Sequence, residues 1–99
     1  MRDCDIAAAI VAGDPAGLAT AYDTYGASLH AYCRTLLAEP ADAADAVQDT
    51  FVIAAAKLGG LRDWDRLRPW LYAVSRNECY RRLRGRARQA DLDEAGEMT

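Results

Sequence analysis

Residues 40–60 read Pro40-Ala-Asp42-Ala-Ala-Asp45-Ala-Val47-Gln48-Asp49-Thr-Phe51-Val52-Ile53-Ala54-Ala55-Ala56-Lys57-Leu58-Gly59-Gly60. Proline suits the first position of a helix, where its missing N–H costs nothing, and Asp42 and Asp45 favour the positive N-terminal end. Two glycines stop the helix after Leu58. At 100° per residue, Val47, Phe51, Ala54 and Leu58 fall within a sector about 60° wide, the spacing of a helix that buries one side. A strand would alternate instead, and no segment of the chain sustains the Val/Ile/Thr alternation that strands require.

Upstream, Ile6 and Ile10 share one face of a short helix from about Asp3 to Ala12, closed by Gly13. Asp14 and Pro15 then cap and restart the chain, so a second helix runs from about Pro15 to Ala38 with Leu18, Tyr22, Tyr25, Leu29, Tyr32 and Leu36 as its core stripe. Downstream, Leu61 to Arg66 form a loop. A fourth helix begins near Leu67 to Pro69 and reaches about Arg86, burying Leu67, Leu71 and Val74. Asp91 to Thr99 is acidic and too poor in apolar residues to pack, so it reads as a linker or frayed tail. The expected fold is all-α, a compact bundle of about four helices over residues 1–88 followed by an acidic linker or tail over 89–99. With 99 residues, 52% of them hydrophobic, such a bundle holds one small core and leaves little room for a deep catalytic cavity.

The net charge of −3 conceals a division along the chain. Residues 1–61 carry three cations against eight acids, residues 62–88 carry nine arginines against three acids, and residues 89–99 carry four acids and no cation. An acidic body with one concentrated arginine segment suggests two partners of opposite sign. Cys4, Cys33 and Cys79 are odd in number and form no C-x-x-C pair, so buried thiols are expected rather than disulfides. His30-x-x-Cys33 lacks a second ligand pair; no metal site and no cofactor is expected. No apolar stretch spans a bilayer and the acidic N-terminus does not begin a signal peptide, which places the chain in the cytoplasm without membrane association.

Two helix faces carry chemistry. On the third helix, Asp42, Asp45 and Asp49 lie opposite the buried sector, Val52 and Ile53 flank them, and Gln48 sits between them and the core. Apolar atoms beside carboxylates have the mixed composition of an interface for a basic protein. The same periodicity fits Val52 and Ile53 packing on another helix of the domain. On the fourth helix, Trp70, Asn77, Arg81, Arg84 and Arg88 recur at spacings of 7, 4, 3 and 4, with Tyr80 at the edge and Arg76 beside Asn77. Guanidinium groups hold phosphates, an amide reads a base edge and an indole stacks on an unpaired base. The preceding loop adds Arg62, Trp64 and Arg66. A core role for Trp70 and Tyr80 above merely solubilising arginines is the competing interpretation.

Asp42-Ala-Ala-Asp45-Ala-Val47-Gln48-Asp49-Thr-Phe51, followed by Leu67-Arg-Pro69-Trp70-Leu71-Tyr72-Ala-Val74-Ser-Arg76-Asn77, resembles the conserved second region of bacterial extracytoplasmic-function sigma factors. The resemblance covers about residues 14–88. It implies a helical domain that docks on the clamp helices of the RNA polymerase β′ subunit and helps open promoter DNA at the minus-ten element, preferentially as single strand. Asp45, Gln48 and Asp49 match the polymerase-docking positions. Trp70, Asn77, Tyr80, Arg81 and Arg84 match the minus-ten face, and Trp64 lies in the loop that helps hold an extruded base. An anti-sigma factor is implied as a competitor for one of these faces.

Ala54-Ala55-Ala56 stands where the family usually has an aromatic residue, and Asp49 replaces the more usual glutamate, which predicts a weaker or reshaped docking contact. No helix-turn-helix follows Arg88, so the chain resembles a piece of such a factor, its acidic end the start of an interdomain linker. The alternative is a helical nucleic-acid-binding module that never meets polymerase. An enzyme is not expected, because His30 and the scattered cysteines assemble no acid/base or nucleophile constellation.

Overall fold

Helix α1 spans Asp3–Val11, α2 Pro15–Leu36, α3 Pro40–Lys57 and α4 Leu67–Glu97, with short 3-10 turns at Leu58–Gly60 and Trp64–Arg66. The computed structural model describes residues 2–97, and no strand occurs among them.

The connection between α1 and α2 is set by two glycines. Gly13 takes φ 79°, the left-handed conformation that other residues resist, and lets Asp14 N–H reach back to the Ala9 carbonyl at 3.0 Å. Asp14 then caps α2 by accepting from Ala16 N–H at 3.0 Å. A Cβ on Gly17 would lie 2.7 Å from the backbone nitrogen of Ile10, so the two helices touch nearly backbone to backbone. By contrast, Gly59 and Gly60 do not adopt a left-handed turn; α3 ends at Lys57 and tightens into a 3-10 turn.

Ile6 and Ile10 of α1, Leu29 and Cys33 of α2, Val47 and Phe51 of α3, and Leu67, Leu71 and Cys79 of α4 meet in one core. The four residues expected inside on α3, namely Val47, Phe51, Ala54 and Leu58, are all buried. The α2 stripe is rotated by about one residue from expectation. Of its six positions only Leu29 is fully buried, and the contact line runs instead through Gly17, Ala21, Gly26, Leu29 and Cys33. Small side chains let neighbouring helices close in, while the tyrosines stand nearer the margins. Tyr25 donates to Asp3, Tyr32 meets Tyr72 edge to face at 5.3 Å, and Tyr22 leans on Phe51 at 5.5 Å. On α4 the inner line is Leu67, Leu71, Ser75 and Cys79, with Val74 only half-buried. Ser75 is accommodated because its hydroxyl meets that of Thr50 at 3.0 Å, and Thr50 also bonds the Ala46 carbonyl.

Helix α4 runs well past Arg86, where a break was expected, and residues 84–93 are exposed. Arg86 in this stretch still pairs with Asp42 of α3, and polarity does not decide helicity. Arg, Gln, Ala, Leu and Glu are strong helix formers, Gly85 alone is a weak point, and Gln89 bonds Asp93 one turn on at 2.9 Å. The segment read as a linker or frayed tail is therefore helical through residue 97; residues 98 and 99 lie outside the described part. The projection stretches the molecule to 57 Å along its long axis against 23 and 20 Å across.

Candidate nucleic-acid and polymerase interfaces

The outward side of α4 carries Arg76, Asn77, Tyr80, Arg81, Arg84 and Arg88, all exposed. Neither Asn77 nor the arginine row is sealed in the bundle. Trp70 is half-buried and packs against the core. A hollow of ≈ 520 Å³ opens beside it, floored by Ile53, Leu61 and Val74 and rimmed by Lys57, Trp70, Asn77 and Glu78. An indole, an amide, an ammonium and a carboxylate thus converge on an apolar floor, within the size range of small-ligand sites. Trp64 occupies a different place. It packs half-buried against the core from the turn that rests on α1, and it does not line the hollow. Arg62 and Arg66 flank it in solvent.

The five residues expected to share a docking face on α3 divide. Gln48 and Val52 line a groove of ≈ 1160 Å³ between α2 and α3, together with Tyr22, Asp23, His30 and Phe51. Val52 is 63% exposed and Tyr22 57%, so the groove presents unpartnered apolar surface. Asp45 stands exposed beside it, with no ion-pair partner among the described residues. Asp49 and Ile53 turn the other way, toward α4, and Ile53 lines the hollow next to Trp70. Val52 is therefore exposed, whereas Ile53 is half-buried beside α4.

Nor are the acidic and basic faces independent. Asp49 Oδ2 accepts from Arg82 at 2.5 Å, with Arg81 4.0 Å away from the same oxygen. Glu78, nearly buried, accepts from Arg81 at 3.0 Å and lies 3.8 Å from Arg82, and Asp42 pairs with Arg86. Arg82 and Arg86 lie off the arginine row and were not singled out by its spacing. No local signal reveals them, since Asp49 and Arg82 are 33 residues apart in the chain.

Among the described residues no cluster of three or more His, Cys, Asp or Glu side chains is arranged to hold a metal ion, and no helix is long and apolar enough to cross a membrane. The family model for sigma-70 region 2 matches residues 21–89, more than half of the chain. The chain belongs to the sigma-70 region 2 family. This sigma-70 region 2 domain therefore serves transcription initiation and promoter recognition, in contact with RNA polymerase core and promoter DNA. The hollow and the ion pairs between α3 and α4 all lie inside the matched segment, whereas α1 lies outside it. No curated protein and no solved structure matches the chain significantly.

Proposed function

We propose that this sigma-70 region 2 domain is of the extracytoplasmic-function type and acts in the cytoplasm as a non-enzymatic initiation module. It docks on the β′ clamp helices of RNA polymerase through Asp45, Gln48, Asp49, Val52 and Ile53, with the α2/α3 groove beside Gln48 and Val52 taking the partner's apolar side chains. The α4 face, comprising Arg76, Asn77, Tyr80, Arg81, Arg84 and Arg88 with Arg62 and Arg66 from the turn, lies along the minus-ten element. Guanidiniums hold phosphates, and a base that leaves the stack enters the hollow between Trp70 and Asn77. Trp64 serves this surface indirectly, by fixing the turn. Residues 1–88 form the working domain, and residues 89–99 serve as an acidic linker or tail. An anti-sigma factor would compete for the α2/α3 groove.

The observation that carries this reading is the hollow itself: the Trp70 indole, the Asn77 amide, the Lys57 cation and the Glu78 carboxylate gathered at the head of an exposed arginine row. Capturing a base already extruded stabilises the opened duplex, because unstacking costs a few kcal/mol and one or two capture contacts return about as much. The test is retention of purified core polymerase by the immobilised chain. Asp45→Arg with Val52→Ser, both at exposed positions, should abolish retention while single-strand DNA binding persists. Undiminished retention removes the docking assignment and leaves a nucleic-acid-binding module that works without polymerase.

A further inference from the structure

From residue 83 onward α4 leaves the bundle, and residues 83–93 are all exposed. Charge along this stretch is segregated: Arg84, Arg86 and Arg88 come first, and Asp91 and Asp93 follow. For a single copy that order is unfavourable twice over. Arg84 and Arg88 repel across one turn, and the acids lie toward the C-terminal end of the helix, where the macrodipole is already negative. Among the described residues no ion pair engages Arg84, Arg88, Asp91 or Asp93, while Arg86 is drawn to Asp42.

The same stretch is self-complementary. At 100° per residue Leu83, Ala87 and Ala90 fall within about 60° of one another and form a narrow apolar seam, Leu83 being 39% exposed. Arg84, Arg88 and Asp91 line one flank of that seam, and Arg86 and Asp93 line the other. Each flank therefore carries arginine toward its start and aspartate toward its end.

We propose that a second copy of this chain docks antiparallel on the exposed end of α4, with the two seams in contact. Reversing the direction of one helix sets Arg84 and Arg88 against the partner's Asp91, and Arg86 against the partner's Asp93. Two-fold symmetry then repeats every pair. A parallel arrangement would set arginine level with arginine and aspartate with aspartate. Alanines in the seam allow the axes to approach to about 8 Å, the close end of helix packing. Some three turns of helix form a contact well below the roughly 1,200 Å² of a stable interface, so the pair is weak, concentration-dependent and sensitive to salt. Arg84 and Arg88 also end the row assigned to DNA, so paired copies offer nucleic acid a shorter row. The pairing itself stands on charge order and exposure and is independent of that assignment.

Sedimentation equilibrium of the whole chain over a wide concentration range tests this. At low salt the average mass should rise from the 10.8 kDa of one copy toward twice that value, and fall back at high salt. Two charge variants sharpen the test, both at exposed positions, with circular dichroism to verify folding. Arg84→Asp with Arg88→Asp, and separately Asp91→Arg with Asp93→Arg, should each weaken self-association at least about tenfold, because like charges then face each other. An equimolar mixture of the two variants should associate again, since acidic and basic flanks are restored. A chain that stays monomeric at every concentration, variants that self-associate as the parent does, or a mixture that stays monomeric each overturns the pairing. Association that persists at high salt and is lost in Val52→Ser places the second copy on the α2/α3 groove instead and overturns it as well.

Discussion

Replacing Trp70 with alanine removes the proposed stacking platform without touching a charge. Base stacking on an aromatic side chain is worth about 1 to 3 kcal/mol per base. Because Trp70 is already half-buried against the core, only part of its ring is open to a base, and the lower part of that range applies. A loss of about 1 to 2 kcal/mol weakens binding roughly five- to thirtyfold. Anisotropy of a labelled single strand carrying a minus-ten-like sequence measures this directly, and the matched duplex provides the comparison. The duplex, whose bases stay stacked, should lose less than twofold. The salt dependence of single-strand binding should also keep its slope of about −0.7 per phosphate contact, since every arginine remains. Trp70→Ala also removes packing, so Trp70→Phe, which preserves a ring against the core, should recover most of both fold stability and affinity. Unchanged single-strand affinity in a folded Trp70→Ala variant, or equal losses on single strand and duplex, would refute base capture at the hollow.

Gly17→Ala should destabilise the fold by about 1 to 2 kcal/mol in urea titration, because a methyl 2.7 Å from the Ile10 backbone forces α1 off α2 and outweighs alanine's helix preference. Burial pushes the Cys33 thiol up to about 12, and the neighbouring Cys79 thiol pushes the same way. Burial likewise lifts the Tyr25 phenol to about 12, helped by its hydrogen bond to Asp3. Both groups ionise more readily unfolded than folded, so stability should fall as pH rises from about 9 toward 12, most visibly in unfolding midpoints, and Tyr25→Phe should flatten part of the slope. At pH 8 a thiol reagent should label half-exposed Cys4 in the native chain and reach Cys33 and Cys79 only in denaturant. Ending the chain after Gln89 should leave the thermal midpoint within a degree or two, since residues 84–93 are exposed; a larger drop would make the end of α4 part of the folded unit.

The sequence alone determined what depends on local pattern: four helices, their starts at Asp14-Pro15 and Pro40, the buried side of α3, and an arginine row with Asn77 on the outside of α4. Helical periodicity and capping chemistry act within a few residues, so they are readable along one strand of text. The tertiary structure decided which of two adjacent stripes on α2 is innermost, because that depends on how closely Gly17 and Ala21 let neighbouring helices approach. It also decided that Trp70 borders a hollow with Lys57 and Asn77 while Trp64 braces a turn, and that Asp49 faces Arg82 rather than standing free beside Asp45. These are relations between side chains 7 to 33 residues apart, brought together by the packing of α3 on α4. No single-helix pattern encodes them, since a helical wheel records the direction in which a residue points and not what stands there to meet it.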